Sequence, residues 1–124
     1  MDAIKTILKE AGYKTVEDVP IDEYAEISLK HYDDLIIEKI APNRLSVSHT
    51  YTQRGDIMRD PEIVFKIDNG DWIAVMYQQD STGTYQEDES GIESATTFAH
   101  NLWNDNIKNQ GYIKAAKEQE SIFN

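Results

Sequence analysis

The sequence predicts an α+β domain: an antiparallel meander of four to five strands, with N-terminal helices and a C-terminal helix packed on one face. Three observations predict it. Residues 44–53 and 62–68 alternate their side chains at the two-residue period of a strand, and 72–79 reads as a partner strand. Asp68-Asn69-Gly70-Asp71 joins two such runs through the Asn-Gly pair that a tight hairpin turn favours. Residues 2–11 and 92–109 instead repeat apolar side chains at helical spacing.

The elements follow in order. Ala3, Ile4, Ile7, Leu8 and Ala11 make the apolar stripe of a first helix, with Asp2 suited to its N-cap and Gly12 to its stop. Residues 15–19 suit a short turn before Pro20. Ile21 to His31 reads as a second helix, with Ile21, Tyr24, Ala25 and Leu29 on one side. Strands are expected at 35–40, 44–53, 62–68 and 71–79, with a shorter fifth near 82–87. Gln53 to Glu62 reads as a charged loop rather than a strand. A helix over 92–109 carries Ile92, Ala95, Ala99, Leu102, Trp103 and Ile107 on its apolar side, capped at Ser90 and closed at Gly111. Trp103, Leu102 and Phe65 are expected to be buried together. Residues 112–124 are weakly helical and fray unless Ile122 and Phe123 dock.

A chain of 124 residues suits one domain, 1–124, and is long enough to bury a self-sufficient core. It has no cysteine, so disulfides and thiolate metal sites are excluded. The N-terminal residues have neither signal-peptide nor transit-peptide character, and no apolar run has the length of a membrane span. These features suggest a cytoplasmic protein. Net charge is −11. Between Lys66 and Lys108 there is no Lys or Arg, while Asp68, Asp71, Asp80, Glu87, Asp88, Glu89, Glu93 and Asp105 all fall there. Such a surface keeps a protein dispersed, and it can also imitate a phosphate backbone. Direct nucleic-acid binding is disfavoured, because it needs clustered Lys and Arg.

The chemistry-bearing residues have plain structural readings beside functional ones. His49 shares a strand side with Leu45, Val47 and Tyr51, which suits a hydrogen-bonded core histidine. Grouped with Asp56, Asp60 and Glu62 it offers ligands for a divalent ion, though the spacing matches no metal motif. Pro61 suits the entry to a strand, where its missing N–H is harmless. Gln53, Gly55, Asp60, Pro61 and Glu62 read as the frame of the charged loop, with Asp60 accepting backbone N–H bonds and Arg54 or Arg59 pairing with Asp56 or Glu62. Gln78, Gln79 and Asp80 suit the same kind of loop support. Arg54-Gly55-Asp56 matches the integrin tripeptide by chance. Tyr24, Trp72, Tyr77, Tyr85, Trp103 and Tyr112 are a candidate stacking platform, but their spacing favours the core. No phosphate loop, nucleophile elbow or dinucleotide fingerprint is present.

Three segments carry a resemblance to a known family. The first is His49, Tyr51, Gln53, Gly55, Asp56, Met58, Asp60, Pro61 and Glu62 within SVSHTYTQRGDIMRDPE. The second is YQQD followed by Tyr85, and the third is Trp103, Asn106, Ile107, Gln110, Gly111 and Tyr112. Together, over residues 35–112, they resemble a bacterial and phage domain family of unknown function. That family also occurs on conjugative plasmids and inside large polyvalent proteins of mobile elements. The resemblance implies a mobile-element setting and supplies no reaction. Residues 1–34, a helical extension, and the tail 113–124 lie outside it.

The expectation is a non-enzymatic acidic binding protein without cofactor. Its partner is a host protein with a basic nucleic-acid-binding surface, such as a CRISPR nuclease or restriction enzyme. Asp80, Glu87, Asp88, Glu89 and Glu93, with Arg54 and Asp56, are the candidate contact residues. Two other readings stand beside it: a small metal-dependent enzyme using His49, Asp56, Asp60 and Glu62, and an accessory module joining larger proteins.

Overall fold

The computed structural model describes residues 1–124. Helix α1 (Asp2–Glu10) buries Ala3, Ile4, Ile7 and Leu8, the stripe its spacing dictates. A single 3-10 turn, Val16–Asp18, leads to strand β1 (Tyr24–Ile27). This corrects the helix expected over Ile21 to His31. Ala25 and Ile27 are buried while Tyr24 and Glu26 are exposed, the alternation of a strand. Asp22 and His31 have positive φ, which a right-handed helix cannot contain.

Strands β2 (Asp34–Ala41), β3 (Arg44–Gln53), β4 (Asp56–Asp68), β5 (Asp71–Gln79) and β6 (Thr84–Glu87) complete an antiparallel sheet in sequence order. The sheet therefore has six strands, not four to five. Asn69-Gly70 turns β4 into β5, both with positive φ as a type I′ turn requires. The charged stretch Gln53 to Glu62 is not a loop. Arg54 and Gly55 alone make its turn, both at positive φ, and Asp56 pairs back with Gln53. Arginine rarely adopts that conformation, so the turn is not evident from sequence. Charge collects here because this end of the hairpin, Thr52 to Ile57, is exposed.

Register determines which side chains share a face. Leu35 lies opposite His49, Ile37 opposite Val47, Val47 opposite Ile63 and Leu45 opposite Phe65; this face is the core. Ile36, Ser48 and Glu62 line the other face in one row, and Glu38, Ser46 and Val64 in the next. A bulge sets Asp60 and Pro61 together against His49, because Ser48 pairs with Glu62 and Thr50 with Arg59. Pro61 stands where no ladder N–H is needed.

The C-terminal helical stretch covers the core face. Helix α2 (Glu93–Phe98) runs through a π-helical segment (Ala99–Trp103) into α3 (Asn104–Gln110), and α4 (Tyr112–Lys117) follows. A π turn holds one residue more than an α turn. Buried positions therefore fall at Ala95, Ala99, Trp103 and Ile107, and Leu102, expected in the core, is 53% exposed. Trp103 and Phe65 are buried as expected. Helix α2 starts without a Ser90 cap; Ile92 is its N-cap residue. Ile122 is buried, Phe123 meets Tyr13 edge-on, and Asn124 pairs with Tyr24 along the β1 edge, so the tail is docked.

One core residue was not foreseen. Lys39 is 1% exposed, on the core side of β2, and its ammonium donates to the carbonyls of Val16 (2.7 Å) and Val19 (2.8 Å). It ties the 3-10 turn to the sheet.

Candidate functional site

The sheet face away from the helices is concave and uncovered. It forms an open groove of about 500 Å³. Its floor is Ile36, Glu38, Ser46, Ser48 and Glu62; its walls include Glu26, Asp33, Asp34, Tyr32, Tyr51 and Ile57. The strand period accounts for the floor: even-numbered residues of β2 and β3 point away from the core, and apart from Ile36 those in the floor are a carboxylate and hydroxyls. Asp34 and Glu38, four residues apart on β2, are about 13 Å apart along the strand.

Five carboxylates line the groove against one cation, Arg59. Arg59 is already paired, through Nε to Glu62 Oε1 at 3.1 Å, while the other Glu62 oxygen accepts the Ser46 hydroxyl at 2.6 Å. Glu26, Asp33, Asp34 and Glu38 pair with no Lys or Arg. Partial burial, then the charges of Asp60 and Asp34, hold the Asp33 carboxyl above its ordinary range. The groove thus gathers negative charge that the chain itself leaves uncompensated.

The acidic residues singled out between strand β5 and helix α2 are mostly engaged inside the chain. Asp80 Oδ2 accepts the Arg59 backbone N–H at 2.8 Å, and Oδ1 accepts the Gln78 amide. These bonds hold its carboxyl below the usual range. Asp88 accepts both the N–H and the hydroxyl of Ser90, which lowers its pKa in the same way. Glu89 pairs with Arg44 at 2.6 Å, and its carbonyl accepts from Lys66. Glu87 accepts the Tyr85 hydroxyl, and Glu93 is exposed in the first turn of α2. Arg54 and Asp56 are exposed at the β3–β4 turn, beside Gln53 and Gly55. The bond expected of Asp60, fastening this hairpin through a backbone N–H, is made by Asp80 instead.

The quartet His49, Asp56, Asp60 and Glu62 does not converge. His49 faces the helices, Glu62 faces the groove and Asp56 sits at the hairpin turn. No three His, Asp or Glu side chains are grouped to hold a metal ion. His49 is the core residue its strand position suggested. Its Nδ1 accepts the Trp103 indole N–H at 3.0 Å. Burial pushes the imidazole down to about 4, against a small opposing pull from Asp60. Trp72, Trp103 and Tyr112 are buried and Tyr77 half-buried; Tyr24 and Tyr85 are exposed but lie on β1 and β6, at opposite edges of the sheet, so the six do not form one stacking platform. Tyr112 donates to the Asp33 carbonyl. A separate cavity of about 360 Å³ lies between α1 and Trp72, edged by Lys5, Lys9 and Lys14.

Sequence reasoning missed the groove because its carboxylates are scattered over Glu26, Asp33, Asp34, Glu38 and Glu62. The signal was present in the polar half of each alternating strand, and it needed the register to be read. No helix is long and apolar enough to cross a membrane.

The class is therefore an α+β domain built on one antiparallel sheet, helices on one face and an acidic groove on the other. The chain belongs to the family described as Domain of unknown function (DUF6908), whose family model matches residues 2–113. No curated protein and no solved structure matches it. The match reaches further than the 35–112 resemblance and takes in α1, whose apolar side is part of the core.

Proposed function

We propose that the protein is a non-enzymatic binding protein whose acidic groove receives a basic surface of a partner, in the place that surface keeps for nucleic-acid phosphates. The observation that supports this reading best is the uncompensated groove. Four carboxylates without a paired cation stand on or beside a concave face floored by Ser and Glu side chains. Arginine side chains fit such a face through charge-assisted hydrogen bonds to carboxylates and hydroxyls. Tyr32, Tyr51 and Ile57 supply apolar edges for their stems. Relative to the expectation from sequence, the contact surface moves from the 80–93 segment to the groove, since Asp80, Asp88 and Glu89 already have internal partners. The mobile-element setting, and a defence enzyme of the CRISPR or restriction type as the partner, belong to the same proposal and rest on the sequence resemblance.

A pull-down from bacterial lysate at low and high salt tests it. Wild-type protein should retain a basic nucleic-acid-binding protein at low salt and release it as salt rises. Asp34→Asn combined with Glu38→Gln should retain at least about tenfold less. Equal capture by wild type and the double variant would refute the groove as the contact surface.

A further inference from the structure

A second concavity, a cleft of about 330 Å³, opens on the helical side beside His49. Phe98, Trp103, Tyr112 and Tyr32 contribute aromatic surface to it, and Asn106 and Gln110 stand at its rim. Phe98 and Trp103 are stacked, with ring planes 18° apart. The size is that of a small-molecule site, and the composition, aromatic walls with a few polar groups, is typical of one.

The decisive feature is an atom with nothing to bind. Because His49 Nδ1 accepts the Trp103 N–H, it must carry a lone pair, and the neutral ring then bears its proton on Nε2. His49 is 9% exposed, and Nε2 is buried without a hydrogen-bond partner. A buried donor left unpaired is rare and unfavourable. The neighbouring backbone is also unusual. The π segment Ala99–Trp103 turns the indole toward His49 and so sets the tautomer. Such segments recur at functional sites.

The lining narrows the ligand. It contains no Lys or Arg, and the carboxylate of Asp33 stands beside His31 at its edge, so an anion is disfavoured. The buried group is a donor and calls for an acceptor. The rim amides each donate and accept. Aromatic walls favour a flat molecule. We propose that this cleft binds an uncharged planar heterocycle of the nucleobase class. A ring nitrogen or carbonyl oxygen accepts the His49 Nε2–H, and Asn106 and Gln110 bond its polar edge. This site is independent of the groove proposal; the two share only the Tyr32–Asp33 wall.

The test is an NMR titration with adenosine, guanosine, cytidine and uridine in turn, following the His49 ring nitrogens and the Trp103 indole N–H. At least one nucleoside should bind saturably and move both signals. Inorganic phosphate should move neither. Asn106→Leu and Gln110→Leu, both at the rim, should leave the Trp103–His49 signals of the free protein unchanged and weaken binding by at least about tenfold. The proposal is overturned if no nucleoside moves His49 by about 10 mM, about tenfold above a millimolar Kd. It is equally overturned if phosphate binds as well, or if binding persists in both variants. A water that saturates Nε2 while every nucleoside is refused would give the first of these results.

Discussion

Protonating His49 should destabilise the protein, and the size of the effect follows from its surroundings. The ring is buried against Trp103 and Tyr112, with centroids 5.5 and 5.4 Å away. Its pKa falls from 6.5 to about 4 because burial disfavours the cation. In the unfolded chain the ring titrates normally, so between these values the unfolded state binds the extra proton. The stability His49 contributes is therefore fully present above 6.5, declines as pH falls below it, and is gone below about 4. At about 1.4 kcal/mol per pKa unit the full loss is about 3 kcal/mol, of which about 2 kcal/mol is lost by about pH 5. Carboxylates titrate mainly below that pH, and the Met1 amine, which burial holds below its ordinary range, contributes alike to wild type and variant, so the difference between the two proteins isolates His49. The assay is urea unfolding at about pH 7.5, 6 and 5 on wild type and His49→Gln, whose amide oxygen still accepts the indole N–H but does not titrate. Wild type should lose about 2 kcal/mol more than the variant over that range. Parallel pH dependence in the two proteins would show that His49 protonates freely in the folded state, and the buried His49–Trp103 pair would be wrong.

Three further outcomes follow from the packing and the charges. Trp103→Ala should destabilise by about 3–5 kcal/mol in urea unfolding, whereas Leu102→Ala should change stability by under about 0.5 kcal/mol; comparable losses would mean that the π segment does not shift the helix face. Lys39→Ala should cost about 2–4 kcal/mol by the same assay, because it strands the Val16 and Val19 carbonyls and leaves a void; a change below about 0.5 kcal/mol would mean the ammonium is not buried between them. Asp33→Asn should raise Tm at neutral pH. Folding holds the Asp33 carboxyl above its ordinary range, so its ionised form is a penalty present at high pH and absent once the group is protonated. The gain should vanish at about pH 3, and a lower Tm at neutral pH would contradict the burial and charge crowding described for Asp33.

Much of the fold was legible because its elements obey a single period. The runs 44–53 and 62–68 alternate, and Asn69-Gly70 names its own turn. The failures each have a local cause. Tyr24 to Ile27 has too few residues for its period to outweigh coincidental helical matches at Ile21 and Leu29. The Arg54-Gly55 turn uses a residue type that seldom takes positive φ, and the Asp60-Pro61 bulge breaks the alternation just beyond it. Leu102 was misassigned because a 3.6-residue period cannot anticipate a π turn. The candidate site was less legible than the fold. Clustering in sequence drew attention to Glu87, Asp88 and Glu89, yet all three have partners within the chain. Carboxylates distant in sequence, on β1, β2 and β4, became neighbours only through strand register. Reversing residues 87–89 is consequently not the neutral perturbation their sequence position suggests, since Glu89→Lys leaves Arg44 facing a like charge.

The central claim is that the groove, and not the acidic segment before α2, meets a basic partner. Backbone amide shifts recorded during titration with an arginine-rich peptide at low salt test it most directly. The account predicts that the largest shifts fall on Asp34, Glu38, Ser46, Ser48 and Glu62, that they shrink as salt rises, and that Asp34→Asn with Glu38→Gln weakens the peptide by at least about tenfold. Shifts centred on Glu87 to Glu93, with affinity unchanged in the groove variant, would contradict it.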